Sequence, residues 1–113
     1  MAEINYSNYI PLSEASYYVL VALTEPLHGY AIMQKVETIS EGTVTIGPGT
    51  LYGAFSTLEK QGLIIKVKEE DRRKSYALTD LGKLVLTEQI RRMAIMFNNG
   101  QSALALINNG DVT

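Results

Sequence analysis

A chain of 113 residues, 46% apolar and 19% charged with only 3 prolines, is one domain's worth of foldable polypeptide. It has no cysteine and a single histidine, His28, which excludes disulfides, thiolate nucleophiles, sulfur-ligated zinc and any multi-histidine metal site within one chain. The formal net charge of −2 argues, on bulk alone, against a polyanionic partner.

The opening Met-Ala-Glu-Ile-Asn-Tyr has no basic stretch followed by an apolar run, so no signal peptide is expected. Apolar stretches are broken by charge or Asn/Gly long before the roughly 20 residues that span a bilayer. A cytoplasmic protein without membrane contact is the expectation.

Leu12 to about Glu25 predicts a first helix. Ser13 can cap it and Glu14 sits in its first turn, where negative charge is favoured. Leu12, Ala15, Val19, Ala22 and Leu23 recur at helical spacing, and Pro26 ends the pattern. Tyr17, Tyr18 and Val21 lie off that stripe and give the helix a second apolar side. Gly29 to Ser40 predicts a second helix, with Tyr30, Ile32, Met33, Val36 and Ile39 as its apolar positions and Gly42 as its stop. Thr43-Val44-Thr45-Ile46 is β-branched and reads as a short strand.

A third helix opens at Gly47-Pro48-Gly49-Thr50, proline being well placed at a first helical position. Leu51, Phe55 and Leu58 form its core stripe, and Gly62 is a natural stop. The opposite face carries Gly49, Gly53, Ser56, Thr57 and Lys60 and no acid. That face would be ordinary solvated surface but for its two glycines. Each costs about 1 kcal/mol relative to alanine in a helix, so close approach by something outside is implied. Leu63 to Glu69 predicts a strand, with Ile65 and Val67 alternating against Lys66 and Lys68. Lys74 to Leu78 predicts another, with Tyr76 and Leu78 on one face. Glu70-Asp71-Arg72-Arg73 joins them as a charged hairpin turn.

Thr79-Asp80 caps a long last helix. Leu81, Leu84 and Val85 are expected to face back onto the domain. Leu86, Ile90, Met93 and Phe97 repeat with alternating steps of four and three, continued through Gly100 to Leu104 and Ile107. That 3.5-residue period is a coiled-coil-type seam. Asn98-Asn99-Gly100 is expected to kink or break the helix, and residues 109–113 are expected to fray.

Helix, helix, short strand, helix, hairpin, helix is the order of a winged helix-turn-helix. The expected fold class is therefore mainly α with a small β-hairpin. A winged helix-turn-helix unit spans 1–78 and a C-terminal dimerisation helix 79–108, with a tail at 109–113. In such a fold the third helix reads a major groove and the hairpin is the wing. The residues expected at double-stranded DNA are Tyr30, Gly49, Thr50, Tyr52, Gly53, Ser56 and Lys60, together with Arg72, Arg73 and Lys74 in the wing. The last-helix stripe is too large for the domain to cover, so a homodimer is expected, with Tyr17, Leu86, Ile90, Met93, Phe97 and Leu104 at its interface. Two-fold symmetry implies a pseudo-palindromic operator. No catalytic constellation or cofactor site is present, and His28 has no nucleophile or orienting carboxylate nearby in sequence. A winged-helix module that binds protein rather than DNA is the alternative.

His28-Gly29-Tyr30, Gly47-Pro48-Gly49-Thr50-Leu51-Tyr52, Leu58-Glu59-Lys60-Gln61-Gly62-Leu63-Ile64, Arg72-Arg73-Lys74-Ser75-Tyr76 and Leu78-Thr79-Asp80-Leu81-Gly82 occur in this order without large gaps. The set resembles the PadR family of bacterial transcriptional regulators, in its short subgroup with a single long C-terminal helix. The chain departs from that pattern at Gly53, where many relatives carry a basic residue, and in a short wing without a glycine pair. The resemblance implies a homodimeric DNA-binding repressor released by small aromatic or drug-like effectors. Tyr18, Val21, Met93, Met96 and Phe97 are the expected lining of an effector pocket between subunits.

Overall fold

In the computed structural model, residues 3–70 and 73–109 are described. After a 3-10 turn at Tyr6–Asn8 come α1 (Glu14–Ala22), β1 (Leu27–His28), α2 (Gly29–Ile39), α3 (Pro48–Lys60), β2 (Ile64–Glu70), β3 (Arg73–Leu78) and α4 (Asp80–Asn108). The strands form one antiparallel sheet in the order β1-β3-β2.

Capping chemistry sets several boundaries. Ser13 accepts from the Ser16 N–H at 3.1 Å and starts α1. The helix is shorter than its apolar spacing suggests. It stops at Ala22, where Lys35 of α2 donates to the Ala22 carbonyl at 3.0 Å and pairs with Glu25 at 3.2 Å. An α-helix leaves its last carbonyls unpaired, and here a cation from a neighbouring helix takes one of them.

The β-branched segment Thr43–Ile46 is not a strand. Its backbone wraps round Ser40, whose hydroxyl accepts from the Val44 N–H at 3.1 Å and donates to the Val44 carbonyl at 3.2 Å. Val44 and Ile46 are buried and Thr45 is exposed, so strand-like alternation is present without a pairing partner. The position beside β3 is occupied instead by Leu27 and His28, opposite Tyr76 and Ser75. In β2 only Ile64 is buried; Ile65 and Val67 are exposed, and the pairing slips between Lys66 and Lys68.

One core fills the space between α1, α2, α3, the sheet and the start of α4. Val19, Leu20, Leu23, Ile32, Val36, Leu51, Leu58, Leu63 and Val85 are its largest fully enclosed members. Leu86, expected at the dimer seam, is instead buried in this core, on the part of α4 that precedes its fully exposed outer stretch. Of the three residues expected to face inward, Val85 is buried and Leu81 half-buried, while Leu84 is exposed. Gln89 is also buried, and its Oε1 accepts from the Leu12 N–H at 2.8 Å, tying the N-terminal segment to α4.

From Ile90 onward every described residue of α4 is exposed. The helix runs uninterrupted through Asn98-Asn99-Gly100, contrary to the break those residues suggest. Asparagine and glycine lower helix propensity by up to about 1 kcal/mol each, which weakens this stretch without interrupting it. The protruding helix raises the Cα radius of gyration to 16.8 Å, against about 13 Å for a compact chain of about 100 residues.

The two halves of the fold meet at one backbone crossing. Gly62, with φ +76°, ends α3 in the left-handed region that glycine reaches without strain. The Thr79 N–H donates to the Leu63 carbonyl at 3.1 Å, and its hydroxyl donates to the Gly62 carbonyl at 2.6 Å. That hydroxyl also accepts from the Gly82 N–H at 2.9 Å. A Cβ at Gly82 would overlap the Leu63 carbonyl oxygen, which is backbone and cannot step aside. Gly82→Ala is therefore expected to cost about 2 kcal/mol or more, despite alanine's better helix propensity. Chemical denaturation followed by circular dichroism checks this; a neutral or stabilised variant would show that α4 does not press on Leu63.

Candidate nucleic-acid interface

Burial of Leu51, Phe55 and Leu58 fixes the rotation of α3 and so decides what it shows to solvent. Gly49, Thr50, Tyr52, Gly53, Ser56, Thr57 and Lys60 are all exposed. A Cβ built at Gly49 or Gly53 would meet nothing within 4 Å. No internal contact requires either glycine, which leaves a smooth strip of helix between hydroxyl-bearing neighbours. The helix starts on Gly47 and Pro48 with no side-chain cap, so its first N–H groups point outward uncapped.

The hairpin's charge is distributed less evenly than its sequence implies. Lys66 pairs with Glu69 at 3.6 Å and Lys68 with Glu70 at 3.0 Å, along β2 itself. Glu69 and Glu70 lie across from Lys74 and Arg73 in register, yet they engage the β2 lysines. Among the described residues Arg73, Lys74 and Lys60 form no ion pair. Exposed pairs of this kind contribute little to stability. They do determine where positive potential is left over, and that is on β3 and at the end of α3. Arg72 lies outside the described residues.

Four of the residues expected at DNA converge. Tyr30, Tyr52, Arg73 and Lys74 line a cleft of about 340 Å³ together with His28, Gly29, Phe55 and Tyr76. The buried rings of Phe55 and Tyr76 stack at 4.3 Å with an interplanar angle of 24°. The exposed ring of Tyr52 meets Phe55 edge-on at 6.0 Å. Burial holds the Tyr76 hydroxyl above its ordinary pKa, and the Glu59 carboxylate adds to this, so it remains a neutral donor. Beside this cleft, His28, Lys68, Glu70, Arg73 and Ser75 line a second one. Gly49, Thr50, Gly53, Ser56 and Lys60 line neither. The candidate surface thus has two parts, an open helix face and an aromatic, cationic cleft. Sequence reasoning did not place His28, Phe55 or Tyr76 at the site. Their convergence depends on β1 pairing with β3, and a strand of two residues carries no periodicity to reveal it.

The residues expected at a dimer interface divide as well. Ile90, Met93, Phe97 and Leu104 are exposed along α4, while Leu86 is internal. Tyr17 is half-buried against its own core, edge-on to Tyr18 at 5.3 Å. Of the expected effector residues, Tyr18 and Val21 are half-buried and Met93, Met96 and Phe97 exposed. None of the five lines either cleft. Among the described residues no three His, Asp or Glu are placed to hold a metal ion. No described helix is long and apolar enough to cross a membrane.

Three helices, a small sheet whose hairpin flanks the third helix, and a long terminal helix define the winged helix-turn-helix class. Within that class, residues 8–88 match the transcriptional regulator PadR-like family, and the chain belongs to it. A 37.1 kDa protein of unknown character from a Streptomyces fradiae transposon is 39% identical over 83 residues, 73% of this chain and 24% of that relative. The Escherichia coli transcriptional regulator YqjI is 36% identical over 61 residues, 54% of this chain and 30% of that relative. The chain thus spans about a quarter to a third of the length of these relatives. A PadR-like transcriptional regulator from Bacillus cereus superposes with a TM-score of 0.68 at 22% identity, covering 79% of this chain and 89% of its own.

Because Gly49 and Gly53 face open space, Gly49→Ala and Gly53→Ala are each expected to stabilise the fold, by up to about 1 kcal/mol. Thermal denaturation checks this; destabilisation by either would mean that the helix face is packed.

Proposed function

We propose that this chain is a homodimeric, sequence-specific DNA-binding repressor, released by a small aromatic effector. The α3 face carries the reading. It is open, acid-free and supplied with hydroxyls, and it holds two glycines that no internal contact explains. Thr50 and Ser56 hydroxyls suit base edges or phosphates, and Lys60 suits a phosphate. Gly49 and Gly53 let the helix backbone approach the floor of a major groove. Arg73 and Lys74, unpaired among the described residues, together with Arg72, suit the flanking backbone, and Tyr30 and Tyr52 can reach it through their hydroxyls.

The homodimer is supported by the bare length of α4. Ile90, Met93, Phe97 and Leu104 form a stripe that an isolated chain leaves in water. In this reading residues 79–108 are the dimerisation helix. Its first turns, through Gln89, also complete the DNA-binding unit of residues 1–78. A two-fold axis along the stripe presents two α3 helices to major grooves about 34 Å apart, on a pseudo-palindromic site.

Selection of bound duplexes from a random pool at fixed salt tests the reading as a whole, with a two-fold motif expected; recovery of no enriched duplex opposes it. For Arg73→Ala with Lys74→Ala, fluorescence anisotropy should show weaker binding to all duplexes. The slope of log K on log salt should become shallower by about 0.9 for each phosphate that the variant no longer neutralises. Unchanged affinity and slope would remove the wing from the interface. Phe97→Asp should convert the dimer to monomer in multi-angle light scattering, and a persisting dimer mass would remove the stripe.

A further inference from the structure

We infer that Asn99 is a spontaneous modification site: the Asn99-Gly100 pair of α4 deamidates when the outer helix opens, and the isoaspartyl product breaks the helix permanently. Within α4 only Asn99 is followed by glycine. Both residues lie in the exposed stretch from Ile90 onward. A Cβ built at Gly100 would meet nothing within 4 Å, so no internal contact requires glycine there. The side-chain hydrogen bonds described along α4 do not include the Asn99 amide, which is free to turn.

The reaction needs only this chain and water. The Gly100 backbone nitrogen attacks the Asn99 Cγ and a new N–Cγ bond closes a five-membered succinimide, a proximity effect within one chain. The Cγ–Nδ2 bond breaks, the amide proton passes to the leaving nitrogen, and ammonia departs. Water then opens the ring. Attack at Cγ gives aspartate; attack at the Asn99 backbone carbonyl gives isoaspartate, in which the chain runs through the former side chain. Glycine favours ring closure because it has no Cβ to obstruct the approach and reaches backbone angles that other residues avoid. The helix opposes it. The i→i−4 ladder ties the Gly100 N–H to a carbonyl of the preceding turn and holds the nitrogen away from Cγ. Asn98, Asn99 and Gly100 are also weak helix formers with no tertiary contact, so the ladder opens most readily at the reactive pair. Asn99 lies about 200° round the helix from Phe97. A second copy on the Phe97 stripe would therefore leave Asn99 in solvent and protect it only by keeping the helix ordered. That protection rests on the homodimer reading above. Aspartate has a helix propensity close to that of asparagine, whereas isoaspartate adds a methylene to the backbone and cuts the stripe between Phe97 and Leu104. A chain that stays alone thus ages into one that cannot pair.

The test incubates the full chain in mildly alkaline buffer, native and in urea. Peptide mass spectrometry follows acid and isoaspartate at Asn99, resolved from Asn98 and from Asn109-Gly110. In urea Asn99 should react at least tenfold faster than Asn98, and at least tenfold faster than in the native chain. Gly100→Ala should slow it at least tenfold in urea. The Phe97→Asp monomer should react at least fivefold faster than the native chain. Isolated isoaspartyl protein should run as a monomer in light scattering, while Asn99→Asp pairs as the native chain does. Equal rates at Asn98 and Asn99, equal rates in urea and buffer, no effect of Gly100→Ala, or isoaspartyl protein that still pairs overturns the inference. A native chain that is monomeric throughout, yet reacts at Asn99 with the urea and Gly100→Ala effects intact, loses the homodimer reading and keeps the modification site. A dimer whose Asn99 reacts as fast as in Phe97→Asp keeps the homodimer reading and overturns the protection by pairing.

Discussion

The crossing of the Gly62–Leu63 backbone with Thr79 and Gly82 is the constraint on which the rest of the structure depends. Four elements begin or end there: α3 stops at Lys60, β2 starts at Ile64, β3 stops at Leu78 and α4 starts at Asp80. A single threonine hydroxyl donates to the end of the α3 turn and accepts from the first turn of α4. Glycine at 82 lets the two backbones touch. The consequence is directional. A helix of 29 residues is about 43 Å long, so a small change of angle at its root displaces its far end by many ångströms. If two copies join along α4, the distance between their α3 helices is set at this crossing and magnified by the lever. Such a dimer, matching two grooves of fixed spacing, would need rigidity here more than at its reading face.

The net charge of −2 loses its force once the ion pairs are placed. Glu69 and Glu70, the described acids of the hairpin, are engaged along β2 by Lys66 and Lys68. On α4, Glu88 is held by Arg91 through two hydrogen bonds of 2.7 and 2.8 Å, and that contact keeps its carboxyl below the ordinary range. Among the described residues the cations left without an ion pair are Arg73 and Lys74 on β3, Lys60 at the end of α3, and Lys83 and Arg92 on α4. Total charge governs solubility and non-specific attraction, while local charge governs where an anion sits. A molecule of this kind should depend on a few contacts in correct register more than on a broad cationic surface.

Elements whose cause is local could be read from the sequence. The Leu51, Phe55 and Leu58 spacing, proline at the start of α3, and the Ser13 and Thr79 caps each act within a turn of helix, and each element formed where those residues indicated. Elements whose cause is distant could not. Thr43–Ile46 has the composition of a strand, but Ser40 holds its backbone and Leu27–His28 takes the place beside β3. Leu27–His28 has no pattern at all and becomes a strand because β3 lies beside it. The same pairing explains the site. Tyr30, Tyr52, Arg73 and Lys74 were legible as separate candidates. Their meeting around one cleft follows from β1 and β3 lying side by side, which carries His28 and the start of α2 to the hairpin. Leu86 shows the limit from the other side: a 3.5-residue period identifies an apolar stripe but not which of its members the chain's own core already covers.

The outer part of α4 bears on assembly. Residues 90–108 make no tertiary contact that shields them, and most helical stability in proteins comes from packing of an apolar face. Asn98, Asn99 and Gly100 together lower the intrinsic propensity of that segment by about 2 kcal/mol. Such a stretch, alone in water, is a marginal helix. In the dimer proposed above, a second copy laid along Ile90, Met93, Phe97 and Leu104 would cover this apolar stripe and couple folding of the outer helix to pairing of the subunits.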